Sequence, residues 1–484
     1  MSKQSEPLLP MSQGSPLLQP RTPNTRDSYV SKLGYVPLAF QRMMDFVSLT
    51  PRKLDRAKTH GNEDQAFPHH QPQEISSPSL IPSPGSIRGS IFNLCGATLG
   101  AGALSLPYAV AVSGVGFAVG QLIVAALLTV YTIRLLIRAG DITKLKSYED
   151  LALYCFGKKV EIFVELNILV FCFGISVAYL VTLGDIISPL GALLLGDDSF
   201  WAQRWVLMTL FCVTIMLPLS LLKDVSSLQF SSMLGVFSII FLVLAVAARS
   251  IMTINENGLA TDLHWGINLS NGPNFMLSVP IVMFAFTCQV NVFSIYTELQ
   301  RPCIRRMNKV VDRATTVSVT IYLVIGVIAY LAFGGSLADP AHKGNILLSF
   351  ALNDTLIAIS RAALTFTVAV AFPLNIFPCR FSLDMMFFAS AKDSMVRHVI
   401  VTCSLVFAAL ILAIFCPSIN VVFGIIGGTC SAVVCFCFPA AFILKLEPGP
   451  LLSSAKIGPI ILLVGAIIMG AFGTGVTIWS NFYQ

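Results

Sequence analysis

The chain has 484 residues, of which 55% are hydrophobic and only 12% charged, and its formal net charge at pH 7 is +6. Soluble domains carry about 25% charged residues, so this composition excludes a soluble enzyme, a nucleic-acid-binding domain and a disordered scaffold. Most of the 12 cysteines lie inside apolar runs, which argues against a zinc site or a disulfide framework. The composition therefore predicts an integral membrane protein.

The first 87 residues differ in composition from the rest of the chain. They hold 12 of the 26 prolines and are rich in serine, so they bury too little apolar surface to offset the entropy lost on ordering. We expect residues 1–87 to form a disordered cytoplasmic tail. Within it, residues 33–49 have apolar side chains at helical spacing, which fits either a short helix on the membrane or a loosely hydrophobic piece of tail.

Eleven apolar blocks follow the tail, each of about 20 residues, the length that a helix needs to cross the ~30 Å hydrocarbon core of a bilayer. The alternating pattern of a membrane β-barrel is absent. We therefore predict an all-α membrane protein with a core over residues 88–480. Spans 1 to 11 are predicted at 88–112, 114–138, 160–189, 203–221, 226–252, 274–297, 312–334, 355–378, 397–416, 420–444 and 456–479.

The basic residues orient these spans. If the tail is cytoplasmic, all but four of the 31 lysines and arginines lie in the tail or in loops on its side, which is where an excess is expected. The four exceptions are Arg204, Arg249, Lys343 and Arg361. The positive charge thus marks a cytoplasmic face and predicts no nucleic-acid site, and it places the C-terminus on the opposite side. Both Asn-x-Ser/Thr sequons, at Asn268 and Asn353, fall in outer loops and are glycosylation candidates.

Span 1 has three glycines, Gly96, Gly100 and Gly102, near its midpoint. Each weakens a helix, which favours an interruption in mid-membrane. The same spacing also suits a small-residue face against which a neighbouring helix packs. The glycines alone leave both interpretations open.

Span 6 favours the interruption, because Gln289 and Asn291 lie near mid-membrane, where amides are expensive unless paired. Spans 1 and 6 are five apart, so residues 88–252 and 274–444 would form inverted repeats, with 456–479 as an extra helix. Interrupted helices at matching positions of two repeats indicate a transporter's central site.

Interrupted helices predict a site for a zwitterion. Bared N–H groups at the start of the second half of span 1 suit a carboxylate, and bared carbonyls at half-helix ends suit an ammonium group. An α-amino acid carries both groups. The predicted substrate-binding residues are Gly96, Ala97, Thr98, Leu99, Gly100, Ala101 and Gly102 of span 1, with Phe284, Phe286, Thr287 and Gln289 of span 6.

Four segments resemble the amino acid/auxin permease family. Residues 92–108 (FNLCGATLGAGALSLPY) resemble its first helix, and 286–299 (FTCQVNVFSIYTEL) are similar to its Phe-x-Cys-His…Ile-Tyr-x-Glu-Leu signature. Residues 179–185 look like its third helix, and Arg361 with 377–380 like its eighth. The nearest branches are the system A and N neutral amino acid transporters and their vacuolar relatives. The resemblance implies an eleven-helix, 5+5 inverted-repeat (LeuT-like) transporter fold, with the amino acid between spans 1, 3, 6 and 8.

Three departures from the family bear on ion coupling. The sodium-coupled branch has Asn where this chain has Gly96 and threonines where it has Ala369 and Ala371, and the family's span 6 His is Gln289 here. We therefore expect proton-coupled or facilitated transport in preference to sodium coupling. Asp185 and Glu165 are candidates for a coupling proton, although either could instead pair with Arg361. Thr365 and Thr367 could supply substitute hydroxyls for sodium.

No catalytic constellation, phosphate loop or metal-ligand cluster appears in the sequence, so we expect neither enzyme activity nor a cofactor. The sequence favours a secondary transporter of neutral or cationic amino acids, working by alternating access in the plasma membrane or a vacuolar or lysosomal membrane. The alternative is an amino acid sensor that signals through its cytoplasmic tail. Deleting the tail would abolish a sensor's signalling but spare a transporter's uptake.

Overall fold

The computed structural model describes residues 86–196, 198–222, 229–270, 272–339, 342, 344–388, 394–450 and 453–482. The predicted tail, including segment 33–49, therefore lies outside the described residues apart from its last two positions. Within the described ranges every regular element is a helix. In chain order the helices are α1 (Ile87–Thr98), α2 (Leu106–Ser113), α3 (Val115–Thr143), α4 (Tyr148–Phe156), α5 (Lys158–Leu195), α6 (Arg204–Ser220), α7 (Gln229–Asn257), α8 (Ser278–Ala285), α9 (Val292–Glu298), α10 (Ile304–Phe333), α11 (Thr355–Phe388), α12 (Met395–Phe415), α13 (Ile419–Leu446) and α14 (Ser454–Phe482).

The chain is a multi-pass membrane protein. Nine helical segments of the described part are long and apolar enough to cross a bilayer, and ten if α1 and the bent segment after it form one span. α6 is apolar but shorter, so a count of eleven stays a prediction. Large apolar side chains face outward, as Leu127, Ile461 and Phe415 do at 65%, 67% and 81% exposure. Such exposure suits a lipid-facing surface and would be unfavourable in water.

The first break separates α1 from α2. α1 ends at Thr98, Gly100 is extended (φ −121°, ψ −159°), and the chain resumes as a 3₁₀ turn, Ala101–Ser105, that runs into α2. The two helical segments differ in direction by 51°. Pro107 lies in the first turn of α2, where its fixed φ suits the start of an α-helix.

The three glycines of this region have three different surroundings. A Cβ atom on Gly96 would lie 2.7 Å from Val236 Cγ2 of α7, so this glycine allows helix packing. A Cβ on Gly102 would lie 3.1 Å from Ala285 Cα, so it allows the two breaks to approach each other. At Gly100 a Cβ would meet nothing within 4 Å. Both interpretations of the glycine cluster thus apply, each to a different residue.

The second break separates α8 from α9. α8 ends at Ala285, residues 286–288 leave the helical path, and a 3₁₀ turn, Gln289–Asn291, leads into α9. The Gln289 side chain accepts a hydrogen bond from Cys288 N at 2.9 Å and donates one to Thr132 Oγ1 of α3 at 3.2 Å. It therefore satisfies a bared backbone N–H of the break and fixes the break to α3.

The breaks lie inside the helical core. α8 packs against α2 and α13, α13 against α5, and α10 against both α1 and α3. Non-helical backbone is tolerated at membrane depth only where protein or a polar cavity satisfies it. This packing keeps both breaks away from lipid.

Candidate functional site

A cavity of ≈ 80 Å³ lies between the two breaks. One buried water needs roughly 10–15 Å³ on the same measure, so the space accommodates a small solute. Among the described residues that line it, none carries a charged side chain. They are Ala97, Thr98, Gly100, Ala101, Gly102, Phe171, Ile175, Ala178, Tyr179, Phe284, Ala285, Thr287 and Phe423.

Helix termini of opposite polarity meet at this cavity. The helical segment Ala101–Ser113 begins there, and the first N–H groups of a helix have no partner within it and carry the positive end of its dipole. α1 and α8 end there, at Thr98 and Ala285, where carbonyls carry the negative end. A positive helix start beside negative helix ends matches the two charges of an amino acid.

Aromatic rings form the apolar wall. Phe284 of α8 stacks on Phe423 of α13 with 4.3 Å between ring centroids and 18° between planes. The ring of Phe171 of α5 packs against that of Phe284, with 6.2 Å between ring centroids. Ile175 and Tyr179 follow Phe171 at intervals of four residues, so the three share one face of α5. This wall provides an apolar surface for the side chain of a bound solute.

A tyrosine of α10 contacts both breaks from behind the cavity. The Tyr322 hydroxyl lies 2.6 Å from the Thr98 carbonyl oxygen and 2.9 Å from that of Ala285. The Tyr322 side chain is fully buried, and its ring packs edge-on against Phe286 with centroids 5.3 Å apart. Tyr322 is not among the residues predicted from the sequence, because a tyrosine within an apolar span gives no signal of its role.

Seven of the eleven residues predicted to bind substrate line the cavity, and four do not. The four have other contacts: Gly96 packs on α7, Leu99 is in the hydrophobic core, Phe286 packs on Tyr322, and the Gln289 amide bonds to Cys288 and α3. The seven are Ala97, Thr98, Gly100, Ala101, Gly102, Phe284 and Thr287. Their role in binding stays a prediction.

The lining differs from the implied set of spans in one respect. The resemblance implied a contribution from span 8, but the described lining includes no residue of α11, the helix at that place. Phe423 of α13 takes part instead, because the packing of α8 on α13 brings its ring over Phe284. A phenylalanine in an apolar block looks the same whether it faces lipid or a cavity, so the sequence contained no signal for it.

The ion-coupling candidates lie outside the cavity lining. The buried Asp185 has its Oδ1 3.2 Å from Nη2 of Arg204, whereas Arg361 donates to the carbonyls of Leu347 and Phe350. The suggested pairing of Asp185 with Arg361 is therefore wrong. Glu165 is half-buried on α5. Thr365 and Thr367 donate to carbonyls one turn back in α11, at 2.8 Å each.

The two sequons have contrasting surroundings. Asn268 is only 7% exposed, and its amide nitrogen donates to the Ala111 carbonyl at 3.2 Å. Asn353 is exposed beside Asp354, just before α11. Among the described residues, no group of three or more His, Cys, Asp or Glu side chains is arranged to hold a metal ion.

Comparison with known proteins assigns the chain to a family of membrane transporters. Residues 83–482 match the model of the family described as transmembrane amino acid transporter protein. The chain is 27% identical over 429 residues to the sodium-coupled neutral amino acid symporter 2 of Danio rerio. The match covers 83% of this chain and 84% of that protein. The chain is also similar to a solved structure of a Na⁺-coupled sialic acid symporter in a substrate-bound outward-open state. The two chains are 14% identical, the match covers 81% of this chain and 88% of that one, and the TM-score is 0.46.

Proposed function

We propose that this chain, which belongs to the transmembrane amino acid transporter family, is a secondary transporter that moves neutral amino acids across a membrane by alternating access. The observation that carries the proposal is the cavity between the two helix breaks. The bare N–H groups of the segment that begins at Ala101 would hold the substrate carboxylate, and carbonyls at residues 284–287 would hold the ammonium group.

The lining supports a neutral side chain over a cationic one. A cationic side chain would need a carboxylate or several oxygen partners, because a buried charge without a partner is costly. The described lining residues supply hydroxyls and rings but no carboxylate. The relative from Danio rerio is also named for neutral amino acids.

We propose further that sodium does not drive transport in this chain. Gly96 offers no side-chain oxygen and packs against Val236. Ala369 and Ala371 offer none either. A proton carried by Asp185 or Glu165, or facilitated exchange, remains the proposed alternative to sodium. Because the relative from Danio rerio is named as sodium-coupled, removal of sodium is the sharpest test of this point.

The proposed architecture has eleven spans, with α6 as the fourth, arranged as two inverted repeats and a final helix, α14. The N-terminus would be cytoplasmic and the C-terminus on the other side, in the plasma membrane or a vacuolar or lysosomal membrane. The sensor hypothesis depends on the tail, which lies outside the described residues.

One experiment tests these proposals together. Uptake of a panel of labelled neutral, cationic and acidic amino acids is measured in a transport-deficient cell, with sodium replaced by choline and external pH varied. We expect saturable uptake of neutral amino acids that survives sodium replacement and tail deletion. Loss of uptake without sodium would refute the coupling proposal, and absence of amino acid uptake in every medium would refute the transporter.

A further inference from the structure

The aromatic wall of the cavity is supported by one ring of α13. Phe284 of α8 is half-buried and lines the cavity, whereas Phe423 belongs to the same lining but is fully buried. The two rings are nearly parallel, with 4.3 Å between their centroids. Phe284 therefore presents most of this surface to a solute, and Phe423 supports the Phe284 ring from behind.

Close packing of the helices fixes the position of this stack. Gly427 lies one turn after Phe423 on α13 and meets α8 one turn before Phe284, where a Cβ on Gly427 would clash with the Pro280 carbonyl. A Cβ on Gly424 would lie 2.6 Å from a side-chain methyl group of α14. Because α13 is packed this closely on both helices, the Phe423 ring has little room to withdraw from Phe284.

The volume of the cavity limits the size of a solute that fits against this wall. One buried water needs about 10–15 Å³ on the same measure, so ≈ 80 Å³ corresponds to roughly five to eight water-sized groups. Glycine, alanine and serine are of that size, whereas leucine, methionine and phenylalanine are larger. The two charged groups are common to all of these amino acids, so the side chain is the part that the wall can select.

We propose that Phe423 is a positioning residue for substrate selectivity: it holds the Phe284 ring in the cavity and thereby limits the substrate to small side chains such as those of alanine and serine. The inference rests on the proposed transport function, because it names which neutral amino acids the site accepts. Without the Phe423 ring, Phe284 can turn into the space that the ring leaves, and a longer side chain then fits.

The test uses an unbranched series of amino acids in which each step lengthens the side chain by one methylene group: alanine, 2-aminobutyrate, norvaline and norleucine. Each competes with the uptake of labelled alanine in the transport-deficient cell. One methylene group too many in an apolar pocket weakens binding about 10- to 200-fold. We expect the wild-type affinity for norleucine to be at least about tenfold below that for alanine.

Two variants and a matched control assign this limit to Phe423. Phe423→Ala should raise the affinity for norleucine relative to alanine by at least about tenfold, and Phe423→Val, which keeps a larger apolar side chain in the core, should raise it by less. Phe442→Ala is the control, because Phe442 is also fully buried on α13 and is stacked on Phe438, with 12° between ring planes, away from the described cavity lining. Its ratio of affinities should equal that of wild type.

The ratio of affinities separates selectivity from stability, because a smaller amount of folded protein lowers uptake without changing the order of the competitors. Equal wild-type affinities for alanine and norleucine would overturn the size limit. A ratio that does not rise in the recovered Phe423 variants, or recovery of neither variant as folded protein, would overturn the role of Phe423. If wild type takes up no amino acid, the transport proposal fails, and thermal stabilisation of the purified protein by the same series decides the size limit, since binding stabilises a protein whether or not transport follows. Stabilisation by none of these amino acids would overturn both proposals.

Discussion

A steric series at Gly100 tests the position of the substrate site. A Cβ on Gly100 would meet no atom within 4 Å, and its backbone is extended, so alanine and valine fit there without strain. The added carbons would instead enter the ≈ 80 Å³ cavity. The empty protein should therefore fold normally, while a bound solute would be crowded.

The expected magnitude follows from the cost of overpacking. Extra methylene groups in a filled site cost about 1–3 kcal/mol, and each 1.4 kcal/mol is a tenfold change in affinity. We expect Gly100→Val to weaken substrate binding by about 5- to 150-fold, and Gly100→Ala by less. Gly120→Val is the matched control, because a Cβ on Gly120 also meets nothing within 4 Å and the residue is exposed on α3. A surface change of this kind should alter stability by no more than about 0.5 kcal/mol.

The assay is the apparent affinity of uptake for the best substrate of the panel, with surface expression and thermal stability measured for each variant. We expect a graded loss of affinity from glycine to alanine to valine at position 100, and no loss at position 120. Unchanged affinity in a well-expressed Gly100→Val protein would refute the placement of the substrate beside the first break.

Three further predictions concern groups outside the cavity. Asp185→Asn removes the buried carboxylate that faces Arg204, whose side chain is 19% exposed, so we expect it to destabilise the protein by about 1–3 kcal/mol. A melting temperature equal to wild type would contradict the pairing. Burial raises the pKa of Asp354, but hydrogen bonds from Arg249 and two backbone N–H groups outweigh it, so the pKa lies below the ordinary value. The ionised Asp354 therefore stabilises the fold above about pH 4, where the carboxyl is ionised even in the unfolded chain, and this stabilisation is lost as pH falls through the lower folded-state pKa. Asp354→Asn should remove this contribution, so the melting temperature of the variant should fall less steeply at acid pH than that of wild type. Asn353 is exposed, so Asn353→Gln should abolish any glycan-dependent shift of the protein on a gel. A shift that survives would contradict the prediction that Asn353 is the glycosylated asparagine.

Much of the helical framework could be predicted from the sequence, because apolar blocks of membrane-spanning length are a strong signal. The predicted block 160–189, for example, lies within α5 (Lys158–Leu195). The break in span 1 could also be predicted, since three glycines near mid-membrane weaken a helix. The predicted block 203–221 likewise agrees with α6 (Arg204–Ser220) to within one residue at each end.

The individual roles of residues depended on which side chains the fold brings together. Gly96 and Gly100 look alike in the sequence, yet one faces Val236 of α7 and the other the cavity. Asp185 pairs with Arg204, only 19 residues away, and not with Arg361. Gln289 was predicted to contact substrate, but its amide bonds to Cys288 N and Thr132. These contacts follow from three-dimensional packing, which no local pattern of one sequence encodes.

Competition by substrate analogues measures whether the two breaks recognise both charged ends of an amino acid. The best substrate of the panel is compared with its analogue lacking the amino group and its analogue lacking the carboxylate. Because a hydrogen bond to a charged group contributes about 1.5–3 kcal/mol, we expect each analogue to compete at least about tenfold more weakly than the amino acid itself. If either analogue competes as well as the parent amino acid, recognition of both charges at the breaks is contradicted.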